Sequence, residues 1–466
     1  MYTAAAGRSP DFFATEEENT ISLRGISFYF RPLDRLPHFH LVAVTSPLVP
    51  GRDCFIGGKL VSKTDIEKAY ALIHTRILRT PLVYSQKLSQ LCGCETYFKL
   101  ENLQMTGSFK ERGALHKLYV LSPEEKSRGV IAASAGNHAQ AVAYHCQRLA
   151  IKAKIIMPKG TPLIKIVSTQ GYGAEVVLHG ETVDDASDLA LEISRKEGSI
   201  FLHPFNDPDV IAGQGTIAKE ILEDEKGQTI DAVVCPVGGG GLISGIATYL
   251  KETNPRIAVI GVQAAACPSM KNSLEAGRPI QLGKASSLAD GITIKRAETL
   301  NFAIIRKYVD EIVTVDEDQI ASAILLLLEM EKIVSEGAGA VALAAILNRK
   351  VNLLGKRVLC IISGGNIDVN ILDKIITRGL AVAGRVAQLI LRIQDLPGSL
   401  MAVLEIIKRL QVNILDIKHH RFDSTAPFGY VDVSFTLETK GHAHIEEIKK
   451  ALRESGYQPQ ICILSD

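Results

Sequence analysis

From about Val61 onward, short apolar runs that end in small or polar residues alternate with longer amphipathic stretches. "GVIAAS", "AKIIMP", "AEVVLHG", "SIFLHPF", "DAVVCPVG", "IAVIGVQ" and "RVLCIISGG" read as buried strands, and Asn137 to Leu149 and Thr182 to Lys196 carry the helical period between them. Such alternation predicts an α/β body of largely parallel sheets covered by helices. Ligands of these folds collect at the carboxyl ends of the strands. Three unusual loops fall there: "SAGNHAQ", "VGGGG" and "SGGN". Beyond a junction at Val382 to Arg385 the pattern changes. "AQLILRI", an amphipathic helix from Ser399 to Leu410, "NILDIKHHRF", "YVDVSFTL", a helix around Ile445, Ile448 and Leu452, and "QICIL" spell βαββαβ over about residues 385–464. Residues 1–61 mix prolines with short apolar patches, hold no period, and are an N-terminal extension without an assigned role.

The chain has 466 residues, 46% of them hydrophobic, and a formal net charge of +1. That balance supplies no electrostatic pull toward nucleic acid or membranes, and points to small-molecule partners. The longest apolar run, "IASAILLLLEM", is cut by Glu329 and Glu331 well short of the roughly 20 residues of a span. Eight scattered cysteines, with Cys92 and Cys94 the one close pair and no histidines at zinc spacing, read as free thiols in a reducing cytosol. The acidic "ATEEENT" and the lack of a compact apolar leader fit a cytoplasmic protein.

Gly238, Gly239, Gly240 and Gly241 follow a strand and open the helical "GLISGIATYLKE", so bare backbone and a helix N-terminus can wrap a phosphate. The plainer reading is a tight turn, which seldom needs four glycines. Dinucleotide spacing is absent, because the last required glycine falls on Ile243 or Ser244, and no nucleotide P-loop ending follows. "GAGAVA" from Gly337 reads as helix packing or a cofactor-side loop. Lys110, in "TGSFKERGA", is either a surface charge or an amine kept for covalent chemistry. A phosphate cradle with a poised lysine suits pyridoxal 5'-phosphate, which offers an aldehyde, a phosphate and a ring nitrogen that Ser363 of "SGGN" can meet.

"KLENLQMTGSFKERGA", "ASAGNHAQAVA", "PVGGGGLISGIA", "SEGAGAVALAA" and "IISGGNID", in this order, resemble the threonine and serine dehydratases among the fold type II (tryptophan-synthase-β-like) pyridoxal-phosphate enzymes. The resemblance covers about residues 63 to 380 and implies a catalytic domain over 62–382, with two open twisted sheets and a smaller subdomain at about 105–205. It implies that Lys110 carries the cofactor and moves the proton, and that Phe109 packs by the ring. Asn137 would contact the ring hydroxyl, Gly238, Gly239, Gly240, Gly241 and Leu242 the phosphate end, and Ser363 the pyridine nitrogen. The loop Ser134, Ala135, Gly136, Asn137 and His138 would take the substrate carboxylate, although helix capping explains Asn137 and His138 equally well on their own.

The expected reaction is β-elimination of L-threonine, and of L-serine, to a 2-oxo acid and ammonia. A serine-specific dehydratase, a serine racemase and a non-catalytic amino-acid sensor are the alternatives. Racemases of the family have a serine where Ala135 stands, and metal-binding relatives have carboxylates where Gln263 and Ser269 stand, so neither racemisation nor a metal is expected. The tail resembles the amino-acid-sensing ACT domain. That implies an effector site at Asp395, Pro397, Gly398, Ser399, Leu400 and Asn413 and a homodimer or homotetramer. His419, His420, His442 and His444 read as residues of exposed faces rather than metal ligands.

Overall fold

Six strands form the larger sheet in the order Glu311–Val315, Ala258–Ala264, Ala232–Pro236, Arg357–Ile362, Glu95–Leu100 and Leu82–Ser85, all neighbours parallel except the last pair. A second, four-stranded sheet runs Glu175–Leu178, Ala153–Met157, Val130–Ala133 and Ile200–Phe201, wholly parallel. Both lie in one of two units into which this computed structural model divides, residues 51–375; the other unit includes residues 376–466. The structure describes residues 20–23, 26–29, 60–283, 285–421 and 426–462. Most of the N-terminal extension therefore lies outside the described residues, apart from the antiparallel pair Thr20–Leu23 and Ile26–Tyr29.

The large sheet is buried on both faces, which is why its strands are near-continuous apolar runs. Ala232, Val234, Val358, Cys360 and Ile362 face a core formed with the helices Glu317–Leu326 and Gly337–Leu347. Val233, Cys235, Leu359 and Ile361 point the other way, toward Pro208–Glu223, Gly241–Thr253 and Thr299–Tyr308. Gly337–Leu347 is buried from Gly337 to Ile346, so "GAGAVA" is a helix apolar all round, packed within the core. No helix among the described residues is long and apolar enough to cross a membrane.

Two strands differ from the sequence pattern. "SIFLHPF" yields only Ile200–Phe201, because Pro204 has no N–H to give and the His203 ring captures the N–H groups of Phe205 and Asn206 at 3.3 and 2.8 Å. Glu311–Val315, at the sheet edge, was not singled out, although its β-branched content was a usable signal. In the second unit, Val386–Gln394, Asn413–His420, Tyr430–Glu438 and Gln460–Cys462 form an antiparallel sheet, in which the strand order is second, third, first, fourth. The helices Ser399–Arg409 and His442–Glu454 complete the βαββαβ pattern.

Candidate active site

Four loops at strand ends, following Ala133, Phe201, Pro236 and Ile362, line one cavity of about 720 Å³ together with Lys110. The "TGSFK" segment is stitched onto the "SGGN" loop. Phe109 N–H donates to Ser363 O at 3.0 Å, Gly365 N–H to Gly107 O at 2.9 Å, and Asn366 Nδ2 to Thr106 O at 2.7 Å. Lys110 thereby becomes the first residue of the helix Lys110–Val120, beside Ser363 in the cavity wall.

Two residues on, Arg112 holds Glu101 with two bonds of 2.8 Å and Glu220 with bonds of 2.6 and 2.9 Å. Lys99 adds 2.7 Å contacts to Glu220 and to Thr80 O. Two cations and two carboxylates, all buried, balance in charge, which is the condition under which a dry ionic cluster survives. This cluster ties the strand Glu95–Leu100, the Lys110 helix and the helix Pro208–Glu223 to one another.

Lys110 Nζ donates to Pro204 O at 2.9 Å. Burial lowers its pKa to about 8, against the opposing pull of Glu336, so the amine exchanges a proton close to neutrality. Glu336 is 5% exposed. Burial, reinforced by Asp290, raises its pKa to about 7, while the Asn137 amide and the charges of Lys165 and Lys110 act the other way. Asn137 Nδ2 donates to both Glu336 oxygens at 2.8 and 3.1 Å, and Asn137 Oδ1 accepts from Asn366 Nδ2 at 2.8 Å. The orientation of the Asn137 amide is thus set, with its N–H edge toward Glu336. At the cavity rim Lys165 pairs with Asp290 at 3.1 Å.

The sequence-derived residues Phe109, Lys110, Ser134 to His138, Gly238 to Leu242 and Ser363 all line this cavity. The His138 ring is turned away from a substrate role, which leaves its backbone N–H for the carboxylate. Its Nε2 meets Leu202 O at 2.9 Å, and burial and the nearby Lys110 charge lower its pKa to about 3, so its ring braces the loop and only its backbone is left for a substrate. Ser134 Oγ accepts from Gly136 N–H at 3.2 Å. Sequence reasoning passed over Glu336, Asn366, His203 and Pro204. All four stand inside or beside quoted motifs; the partners of Glu336, Asn366 and Pro204 are far away along the chain, whereas the His203 ring bonds locally to Phe205 and Asn206.

The glycine loop is shaped as a cradle. Gly240 caps the helix Gly241–Thr253 at φ +92°, a left-handed conformation, and a Cβ on Gly239 would come within 2.3 Å of the Phe205 ring. The first helical N–H groups lie beyond it, lining the same cavity as the half-buried Lys110 amine and Ser363. These residues fit pyridoxal phosphate: a cradle for the phosphate, an amine for the aldehyde and a neutral hydroxyl for the ring nitrogen. The family model for pyridoxal-phosphate dependent enzymes matches residues 73–364. The chain belongs to this family. L-Threonine ammonia-lyase of Thermotoga maritima is 48% identical to the enzyme over 402 residues, which span 86% of this chain and 100% of that protein. Among solved structures, processed threonine deaminase isoform 2 from Solanum lycopersicum is 40% identical with a TM-score of 0.63, over 67% of this chain and 90% of that one. Maize serine racemase is 30% identical with a TM-score of 0.65, over 69% and 98%.

Away from the cavity, Gln263 Oε1 accepts from Lys271 N–H at 2.9 Å and Ser269 Oγ donates to Ile294 O at 2.5 Å. Among the described residues no three His, Cys, Asp or Glu side chains cluster as a metal site would require. In the second unit Asp395 accepts from Arg421 at 2.9 Å, and Gly398, at φ +91°, caps the helix Ser399–Arg409 with open space where a Cβ would stand. Asn413 pairs in register with Glu438, at the Val386 end of the sheet, and donates to its carboxylate at 3.0 Å. The turn Asp395 to Leu400 follows Gln394 at the other end, about 26 Å away at the usual strand rise. One copy of the domain therefore does not bring Asn413 to that turn. His444 also departs from the expectation of an exposed face: it is buried, with Nε2 at 3.1 Å from Leu410 O.

Proposed function

We propose that the protein is an L-threonine ammonia-lyase, converting L-threonine to 2-oxobutanoate and ammonia and L-serine to pyruvate and ammonia. What carries this reading is Lys110, a half-buried amine with a pKa of about 8 in one cavity with the glycine cradle, in a chain 48% identical to a threonine ammonia-lyase along that protein's whole length. When bound, the cofactor supplies a carbonyl that captures the substrate amine and a ring that accepts the electrons of the Cα–H bond. The backbone N–H groups at the start of the helix Asn137–Arg148 hold the substrate carboxylate. Lys110 Nζ takes the Cα proton and returns a proton to the departing β-oxygen, so that water leaves. The unsaturated amine that remains hydrolyses to the 2-oxo acid and ammonia.

Ser363 is neutral and does not hold a proton on the ring nitrogen as a carboxylate would, which favours prompt loss of the hydroxyl. Ala135 has no proton to deliver to the face opposite Lys110, which supports elimination over racemisation. Cys92, Cys94, Cys146, Cys235, Cys267 and Cys360 are free and buried, in keeping with a cytoplasmic enzyme. For the second unit the reading is an ACT-type effector domain in a homodimer or homotetramer, with Asp395, Pro397, Gly398, Ser399 and Leu400 on one copy and Asn413 supplied by another. Isoleucine and valine are the first effectors to try. The decisive assay is 2-oxo acid release across the common amino acids with wild type and Lys110→Ala. Threonine turnover with the cofactor's absorbance, both lost in the variant, is expected; turnover that survives in Lys110→Ala refutes the reading.

A further inference from the structure

His203 is fixed more tightly than any role assigned so far requires. Its Nδ1 lies 2.8 Å from Asn206 N and 3.3 Å from Phe205 N. Backbone N–H groups can only donate, so Nδ1 keeps its lone pair and the ring proton sits on Nε2. The rings of Phe201 and Phe205 meet the imidazole edge-on, at 6.0 and 4.7 Å between centroids, and set its plane. Burial, then the charge of Lys110, lowers its pKa to about 4, with Asp207 opposing; the ring is therefore neutral at the pH where Lys110 works. The imidazole lines the cavity, and Nε2 is the ring nitrogen the HPFN turn leaves unengaged. The next residue, Pro204, receives the Lys110 amine on its carbonyl at 2.9 Å, so this donor stands on the side of the cavity where the proton moves. His138 offers no such group, since its Nε2 is engaged by Leu202 O at 2.9 Å.

We infer that His203 presents Nε2–H to the β-hydroxyl oxygen of the bound amino acid, orienting the leaving group beside Lys110. The inference rests on the ammonia-lyase reading. As the Cβ–O bond breaks, its electron pair stays with oxygen, which takes a proton from Lys110 Nζ and leaves as water; the His203 N–H remains on the ring throughout and stabilises the charge that builds on oxygen. A neutral, tautomer-locked donor suits this task because it cannot compete with Lys110 for the proton.

The test compares leaving groups in the holoenzyme. Wild type, His203→Ala and His203→Gln are assayed with L-threonine, L-serine and β-chloro-L-alanine, whose chloride departs without a donor. Loss of one such hydrogen bond should lower kcat on threonine and serine by about 10-fold or more in His203→Ala. β-Chloroalanine turnover and the cofactor's absorbance should stay near wild type, and His203→Gln, which retains an N–H, should recover part of the loss. Nitrogen-15 NMR of labelled histidine should show the His203 signal, assigned by its absence in His203→Gln, as the Nε2–H tautomer from pH 5 to 9. An equal loss on β-chloroalanine, loss of bound cofactor, or titration of His203 near neutrality overturns the inference. Wild type inactive on threonine would instead remove the reading beneath it.

Discussion

Glu336→Gln should make the cofactor-free protein's stability much less dependent on pH. The folded-state pKa of Glu336 is about 7 against an ordinary value of 4.5, set by burial and then Asp290. Because the folded value is the higher one, the folded chain holds the proton more tightly between these limits. That stabilisation is complete below pH 4.5 and is lost as pH rises through 7. The interval corresponds to about 3 kcal/mol. Glutamine keeps an oxygen for Asn137 Nδ2 and an N–H in place of the carboxylic O–H, and does not titrate. His138 and His203, whose values lie near 3 and 4, slope the opposite way up to about 6.5, but equally in both proteins. Lys110, at about 8, acts only at higher pH. Urea unfolding from pH 4.5 to 8 is best followed by circular dichroism, since the chain has no tryptophan. Wild type should lose about 3 kcal/mol relative to the variant across that range. Parallel stability curves would refute the buried, protonated carboxyl.

Gly239→Ala forces a Cβ against the Phe205 ring, now 2.3 Å from where it would stand. The loop must shift, costing about 1–3 kcal/mol, and dialysis followed by absorbance should show weaker cofactor retention. Arg112→Leu leaves Glu101 and Glu220 buried with Lys99 alone; unfolding should show a loss of about 3–5 kcal/mol, partly restored when both glutamates are changed to glutamine. Gly398→Asp, at φ +91° in the proposed effector turn, should leave threonine turnover intact while weakening any response to isoleucine or valine by roughly 5- to 150-fold in kinetics or calorimetry.

The parts of the site that were legible in the sequence are those whose chemistry is local. Four glycines at a strand end, a lysine opening a helix and a serine after an apolar run can each be read within about ten residues. Strands buried on both faces show as apolar runs, so the parallel architecture was legible too. Glu336, Asn366 and Pro204 were not, because an ordinary acid, amide or carbonyl becomes functional only through the distant group it meets. Asn137 and Glu336 are 199 residues apart, and Lys110 and Pro204 are 94. Which copy of the domain Asn413 serves was not legible either, for a related reason. Its place depends on strand register, and an alternating pattern fixes which face a residue occupies without fixing which end of the sheet it reaches.

The pairing of Glu95–Leu100 with Arg357–Ile362 also governs how the protein is made. About 260 residues separate the two strands, which at roughly 5–20 residues per second is about 13–50 s of translation. The four-stranded sheet, complete by Phe201, can assemble on the ribosome long before then. Throughout that interval Glu95–Leu100 has only the hairpin-side neighbour Leu82–Ser85 to pair with, and its other edge is open to any passing strand. The cavity gains its Ser363 wall, and the segment around Lys110 its stitching, when the last strand of the body emerges. The cavity that fits the cofactor is therefore complete only once synthesis has passed Ile362, and until then the strand that leads into Lys110 keeps an open edge.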